Sequence, residues 1–201
     1  MDTLKKKLVN IHFQNFKESQ LKEPKKYIYI QNIHDFGNRF ISASKDYDYI
    51  QNLIERMNDQ ISKKESALLR LSSYLIFTEG VICNCFDLIC YILIVDHHDL
   101  CDFIRKNKYA STIDDIAKIS MSQKVGFLNN HGFKELTKNY DMELRNCIAH
   151  HKYRIDDNGD IWIKGEKLNI LENSQQIFQL LGFFNELINS LFGNGSLKAD
   201  S

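Results

Sequence analysis

The sequence predicts an all-α protein, a helical bundle with one short β-hairpin, and three observations support this class. Proline occurs once and glycine nine times in 201 residues, so the chain has few residues that interrupt helices. Apolar residues recur at helical spacing over most of its length. One stretch departs from that spacing, because Tyr153–Ile155 and Ile161–Ile163 flank an Asn158-Gly159 pair. Two β-rich runs around Asn-Gly, which supplies the positive φ angles of a tight turn, are typical of a hairpin.

The first part of the chain is predicted to form one helix followed by a less regular extension. A rough apolar stripe favours a helix from Leu4 to about Leu21, which Pro24 ends. Tyr27–Ile30 alternates like a short β-strand, and Gly37 is expected to interrupt the chain after it. We therefore expect three regions: an N-terminal helix and extension over residues 1–45, a helical domain over 46–195 and a disordered tail over 196–201.

The middle of the chain is predicted to hold several helices. Apolar spacing indicates one from Tyr47 to Ile61 and a longer one from about Ser62 to Val95. A short helix through Arg105 follows, capped by Asp99. Ser111–Asp115 resembles a helix start, and Ile113 to about Asn130 is predicted to be helical in part.

A break at Gly132 is expected to precede a helix over Phe133–His150, and the hairpin follows it. The last predicted helix covers about Leu171 to Phe192, and Gly193–Ser196 ends it. The predicted inner face of the Phe133–His150 helix consists of Phe133, Leu136, Tyr140, Leu144 and Cys147.

The segment Tyr74–Val95 is apolar and long enough to span a membrane, but it contains Glu79, Asn84 and Asp87. Each carboxylate at mid-membrane would cost about 2.5–3.5 kcal/mol. We therefore expect no membrane span, and interpret the segment as a helix buried on several sides, in a bundle or a dimer interface. For the two acids the open alternatives are ordinary satisfied carboxylates or, for Glu79 above all, a place beside a functional cleft.

The charge balance and the cysteines limit the functional classes. Lys+Arg and Asp+Glu both number 26, which argues against a global basic field that gathers nucleic acid. Any phosphate site must therefore use local basic residues. The five cysteines and the absence of an apolar leader behind Met1 predict reduced thiols in a cytoplasm. A metal site at Cys83, Cys85, Cys90, Cys101 and His97-His98 is the weaker interpretation, because cysteines in an apolar helix behave as small hydrophobes.

The candidate chemistry lies at Arg145, Asn146 and His150. Asn146 and His150 are one helical turn apart, whereas Arg145 lies roughly 140° round the axis from His150. A histidine can move protons near neutral pH, and an arginine can stabilise charge growing on a phosphate. Because one chain's Arg does not automatically meet its own His, a second copy across a two-fold axis could complete the cleft.

The run Leu144-Arg145-Asn146-Cys147-Ile148-Ala149-His150 resembles the signature of the HEPN superfamily, in which an Arg followed by a polar residue precedes a His near the end of a helix. The resemblance implies a HEPN-type bundle that dimerises with its motifs facing each other. It implies that Arg145 and His150 are the catalytic pair of a metal-independent endoribonuclease, with Asn146 in support. It further implies a role in toxin–antitoxin systems or antiphage defence, with an antitoxin or defence protein as partner.

The supporting residues around the motif are expected to be His151, Lys152, Tyr153 and Glu79. His151 could extend the apolar stripe or assist His150, and Tyr153 could stack on RNA or pack in the hairpin. No metal or cofactor is expected, since a histidine can move the protons and an arginine can stabilise the phosphate charge. No protein nucleophile is needed, because the 2′-hydroxyl of RNA is a built-in nucleophile. Two rival interpretations stay open, a non-catalytic HEPN-type module that binds a partner protein or nucleotide, and an unrelated helical interaction protein.

Overall fold

The protein is mostly helical, with one small three-stranded antiparallel sheet. The computed structural model describes residues 2–20, 25–57, 59–96, 113–138, 140–168 and 170–192. A π-helical segment, Ile76–Ile82, joins α3 to α4, and a 3₁₀ helix, Ile113–Lys118, precedes α5. The α-helices are α1 (Asp2–Gln20), α2 (Lys25–Met57), α3 (Lys63–Leu75), α4 (Cys83–Asp96), α5 (Met121–Asn130), α6 (Lys134–Thr137), α7 (Met142–Ala149) and α8 (Ile170–Phe192). The strands are β1 (Tyr153–Ile155), β2 (Ile161–Ile163) and β3 (Glu166–Lys167).

The helical class, the long apolar helix, the hairpin and the last helix are confirmed. The helix through Arg105, with its cap at Asp99, and the disordered tail lie outside the described residues.

Helix α2 corrects the predictions for Tyr27–Ile30 and Gly37. Tyr27–Ile30 is helical rather than β-like, and Gly37 interrupts nothing, because α2 is continuous from Lys25 to Met57. A short alternating run does not separate strand from helix, and one glycine costs a helix only about 1 kcal/mol relative to alanine. Burial of one face outweighs that cost, and the buried residues of that face are Ile33, Phe36, Phe40, Tyr47 and Ile54.

Helix α4 lies at the centre of the main core and is enclosed nearly all round. The apolar stretch Lys63–Ile94 is long and apolar enough to cross a membrane, but 67% of its most apolar window is buried inside the protein. This burial fits the interpretation as a core helix. Asp87, on the same helix, forms a buried ion pair with Lys124 of α5. Burial raises the pKa of the Asp87 carboxyl, and Lys124 opposes that change.

The predicted helix over Phe133–His150 is wrong as a single helix, because it is divided into α6 and α7. Asp141 has an extended backbone conformation, and its carboxylate accepts a hydrogen bond from the backbone N–H of Leu144 at 2.8 Å. This N-cap starts α7 afresh. The predicted inner face nevertheless stays buried, since Phe133, Leu136, Tyr140, Leu144 and Cys147 are all at most 8% exposed.

A second, smaller core lies between α3, α7 and the sheet. Strand pairing places Arg154 opposite Trp162, and Tyr153 opposite Ile163. Alternation along the strands separates the two faces of the sheet. The inward face packs on α3 and α7 with Tyr153, Ile155, Ile161 and Ile163. Arg154 and Trp162 therefore lie on the outward face.

The hairpin loop differs in detail from the expected tight turn. Gly159 has a positive φ of 78°, but Asn158 does not. The backbone N–H of Gly159 donates to the Asp156 carbonyl at 3.0 Å, and that of Asp156 donates to the Asp160 carbonyl at 3.1 Å. The loop is therefore longer than a two-residue turn, with glycine at the one left-handed position.

Candidate functional site

The motif occupies α7 and the turn that ends it. His150 is the C-cap, and His151 follows with a φ of 53°. The backbone N–H of Lys152 donates to the Cys147 carbonyl at 2.7 Å, and that of His151 donates to the Ile148 carbonyl at 3.1 Å. These two bonds define a Schellman motif, whose left-handed position is usually glycine. Here a histidine occupies that position at a conformational cost.

Arg145 is held by two acceptors within its own chain. Its Nε donates to the Glu79 carboxylate, and its Nη1 donates to the Asn146 side-chain oxygen at 2.8 Å. Hydrogen bonding to Glu79 raises the pKa of Arg145. An arginine has five N–H donors, so the guanidinium is oriented by these two bonds and keeps donors for a phosphate. Glu79 is thus a half-exposed partner of the motif, 44% exposed in its side chain, rather than a buried carboxylate.

The position of Glu79 follows from an irregularity in the apolar helix. It lies in the π-helical segment between α3 and α4. Such segments are rare, and they often occur at functional sites. Gly80, the next residue, packs closely on α2, since a Cβ placed there would lie 2.8 Å from the Cβ of Ala43. The close approach of α2 therefore helps to fix the turn that presents Glu79 to Arg145.

His150 is exposed. Within the described ranges, its imidazole makes no hydrogen bond or ion pair, with Arg145 or with any other residue. The single chain thus brings Arg145, Asn146 and Glu79 together, but it does not join them to His150. In one chain, the Arg145 guanidinium is oriented and the His150 imidazole is exposed, but no hydrogen bond joins the two groups.

His151, Lys152 and Tyr153 follow His150 directly in the chain. The hydroxyl of Tyr153 and Nδ1 of His151 are 3.5 Å apart. These three residues line an open pocket of about 540 Å³, which is completed by Arg154, Trp162, Lys164 and Gly165. Tyr153 packs on the small core, as one of its two alternatives predicted, and it also lines the pocket; stacking on RNA stays a prediction.

The outer wall of the pocket is fixed by Asp156. Its carboxylate accepts a hydrogen bond from the Trp162 indole N–H at 2.9 Å and two at 3.0 Å from the backbone N–H groups of Asn158 and Asp160. The hydrogen bond from Trp162 does most to lower the pKa of Asp156, and the two backbone hydrogen bonds lower it further. The Arg154 guanidinium lies over the Trp162 ring, 5.7 Å from its centroid. This cation–π contact and the indole bond hold both side chains in place.

Sequence reasoning did not single out Arg154, Trp162 and Lys164. The hairpin itself was predicted, and strand alternation would have placed Arg154 and Trp162 on one face. Lys164 follows β2 in a tight turn with a φ of 52°, next to Gly165 at 86°. Lys164 lines the pocket because of that turn, and the sequence did not predict the turn.

Three thiols of the apolar helix α4, Cys83, Cys85 and Cys90, are poor nucleophiles. Burial, and then the charge of Glu79, raise the pKa of Cys83 to about 12. Burial raises the pKa of Cys85 and Cys90 still more strongly. Thiols with such pKa values stay protonated at neutral pH, and the thiolate is the reactive form. In the described part of the chain, no three His, Cys, Asp or Glu side chains are grouped as metal ligands; Cys101, His97 and His98 lie outside it.

Comparisons with family models, with curated proteins and with solved structures find no match to this chain. The site is therefore interpreted from its own geometry and from the motif.

Proposed function

We propose that the protein is a metal-independent endoribonuclease of HEPN type, which cleaves RNA by transesterification at a site shared by two copies of the chain. The observation that supports this proposal most is the arrangement of the Arg145 and His150 side chains at the end of α7. Arg145 is oriented with donors to spare, and His150 is exposed at the helix end. A cation and an imidazole are the two groups that this reaction needs.

In the proposed reaction the 2′-hydroxyl oxygen attacks the adjacent phosphorus while the bond from phosphorus to the 5′-oxygen breaks. In each cleft the His150 imidazole of one copy accepts the proton of the 2′-hydroxyl and then delivers it to the leaving 5′-oxygen. Arg145 stabilises the charge on the phosphate oxygens through its remaining N–H donors. The products are a 2′,3′-cyclic phosphate and a free 5′-hydroxyl.

The reaction is tested by incubating RNA with the wild-type protein and with His150→Ala in EDTA, and identifying the ends of the products. We expect cleavage by the wild type alone, leaving 2′,3′-cyclic phosphate. Equal cleavage by both proteins would contradict the role of His150. No cleavage by either, with both folded and dimeric, would favour the non-catalytic module.

The shared site is tested separately by mixing Arg145→Ala with His150→Ala. In a mixed dimer one cleft would combine an intact Arg145 with an intact His150 from the other chain. At equal amounts we expect recovery of about one quarter of wild-type activity, since half of the dimers are mixed and each has one of two clefts restored. No recovery, with subunit exchange verified, would place both residues in the same chain's site.

The proposed setting is cytoplasmic toxin–antitoxin or antiphage defence, with RNA as the substrate and an antitoxin or defence protein as partner. The second candidate is a non-catalytic HEPN-type module. It is favoured by the ion pair between Arg145 and Glu79, which already neutralises the motif cation within one chain.

A further inference from the structure

We infer that the pocket on the hairpin, lined by His151–Arg154, Trp162, Lys164 and Gly165, binds a nucleotide of single-stranded RNA, with its base on the aromatic wall and its phosphate on the basic residues. The inference rests on the proposed function, because it assigns to this pocket the part of the RNA next to the cleaved bond. The motif resemblance does not extend to Arg154, Trp162 or Lys164.

Charge is the first argument. The whole chain has equal numbers of basic and acidic residues, but the pocket lining includes Lys152, Arg154 and Lys164 and no acid. Glu143, outside the lining, pairs with Lys164, and both side chains are at least 66% exposed. Such exposed pairs are weak and readily exchanged. With Glu143 on Lys164 and Asp156 near Arg154 both counted, the three cations still exceed the two adjoining acids. Such a local excess on a neutral protein is suited to a polyanion that must be bound at one place.

The second argument is the combination of cations with flat rings. Trp162, Tyr153 and His151 line the same pocket as the three cations. Unpaired bases stack on aromatic side chains and on arginine planes, whereas bases inside a duplex are not free to do so. An acidic peptide would use the cations but would have no need of the rings, so this composition favours a single-stranded nucleic acid.

The third argument is that the pocket is organised in advance and adjoins the motif. The Trp162 indole is held by Asp156 and Arg154 lies over that ring, so these two side chains lose little entropy on binding. The backbone at His151 and Lys164 is left-handed and lies in tight turns. Because His151 directly follows His150, an RNA strand in the pocket leads to the proposed catalytic imidazole.

The test measures binding without cleavage. Trp162 is the one tryptophan of the 201-residue chain, so the intrinsic tryptophan fluorescence of that chain reports on this pocket. The probe is a fluorescein-labelled, 2′-O-methylated RNA of about eight nucleotides, which lacks the nucleophile and suits a short single-strand site. We expect it to quench Trp162, and a duplex of the same sequence to bind more weakly.

The variants are Arg154→Ala and Lys152→Ala, measured by anisotropy beside the wild type. Each is expected to weaken binding by about tenfold at low salt and to reduce the salt slope by about one. The matched control is Arg39→Ala, since Arg39 on α2 is also exposed and lies 5.6 Å from the centroid of an aromatic ring, that of Phe36. Its affinity should equal that of the wild type.

The proposed function and this inference can fail independently. His150→Ala leaves the pocket lining intact, so loss of cleavage together with binding that still depends on Arg154 and Lys152 separates chemistry from the pocket. An inactive wild type whose binding still depends on Arg154 and Lys152 would refute the ribonuclease and leave the nucleotide pocket in place. Unchanged Trp162 fluorescence, equal affinities of pocket variants and Arg39→Ala, or preference for an oligoglutamate peptide would overturn the inference.

Discussion

The Arg145 side chain of α7 donates a hydrogen bond to Glu79, which lies 66 residues earlier in the chain, in the π-helical segment Ile76–Ile82. The pair is partly exposed, at 28% and 44% of the two side chains, so it contributes little to stability. Its consequence is orientation. Together with the bond to Asn146, it aims the guanidinium in one direction, which a long flexible side chain would not maintain alone.

Glu79→Ala is expected to lower the kcat of RNA cleavage by about tenfold to a hundredfold with little change in KM, because a misaligned cation loses contact mainly with the transition state. Glu79→Gln keeps an acceptor for Arg145 and should restore most of the activity. Thermal unfolding of both variants should match the wild type. A rise in kcat for Glu79→Ala would show that the ion pair inhibits Arg145 instead of positioning it.

Gly80→Ala should displace the segment that presents Glu79. The added Cβ would lie 2.8 Å from the Cβ of Ala43 on α2, and such overpacking costs about 1–3 kcal/mol. We expect a lower urea midpoint and lower activity. Adding Ala43→Gly removes the clash and should recover both, although the second glycine weakens α2 by about 1 kcal/mol. The control is Gly182→Ala on α8, where a Cβ meets nothing within 4 Å; equal losses in Gly80→Ala and Gly182→Ala would contradict the packing argument.

Much of the fold could be predicted from the sequence, because α4 is apolar nearly all round, and α8 and the hairpin bury patterned faces. The failures have local causes. Helix α2 was missed where a short alternating run and Gly37 imitate a break, and the break before α7 was missed because Asp141 caps a helix inside a continuous apolar pattern. Arg145, Asn146 and His150 were found by their motif. Glu79 was considered for its place in an apolar helix, but its pairing with Arg145 is a tertiary contact that spacing does not encode.

His151 occupies a left-handed position where glycine would be more stable. His151→Gly is therefore expected to raise the free energy of unfolding by about 1 kcal/mol, measured in urea, while it weakens binding of the methylated RNA probe. The control is His150→Gly, whose φ of −101° needs no glycine; it should be neutral or destabilising. A destabilised His151→Gly would mean that the side chain's contacts outweigh the backbone strain.

His12 should make the stability of the protein depend on pH. It lies on α1, is 7% exposed, and burial lowers its pKa from 6.5 to about 4. Between these values the unfolded chain binds a proton that the folded chain does not, so stability is full above about pH 6.5 and falls as the pH decreases toward 4. The shift corresponds to about 3 kcal/mol. Burial raises the pKa of Asp87, so this carboxyl makes the folded chain more stable as the pH falls, the opposite of His12. The effect of His12 is therefore isolated by comparing the wild type with His12→Gln in urea unfolding across this pH range. The difference between their free energies of unfolding should shrink by about 3 kcal/mol on acidification. Parallel curves for the two proteins would show that the His12 imidazole gains a proton as readily in the folded chain as in the unfolded one.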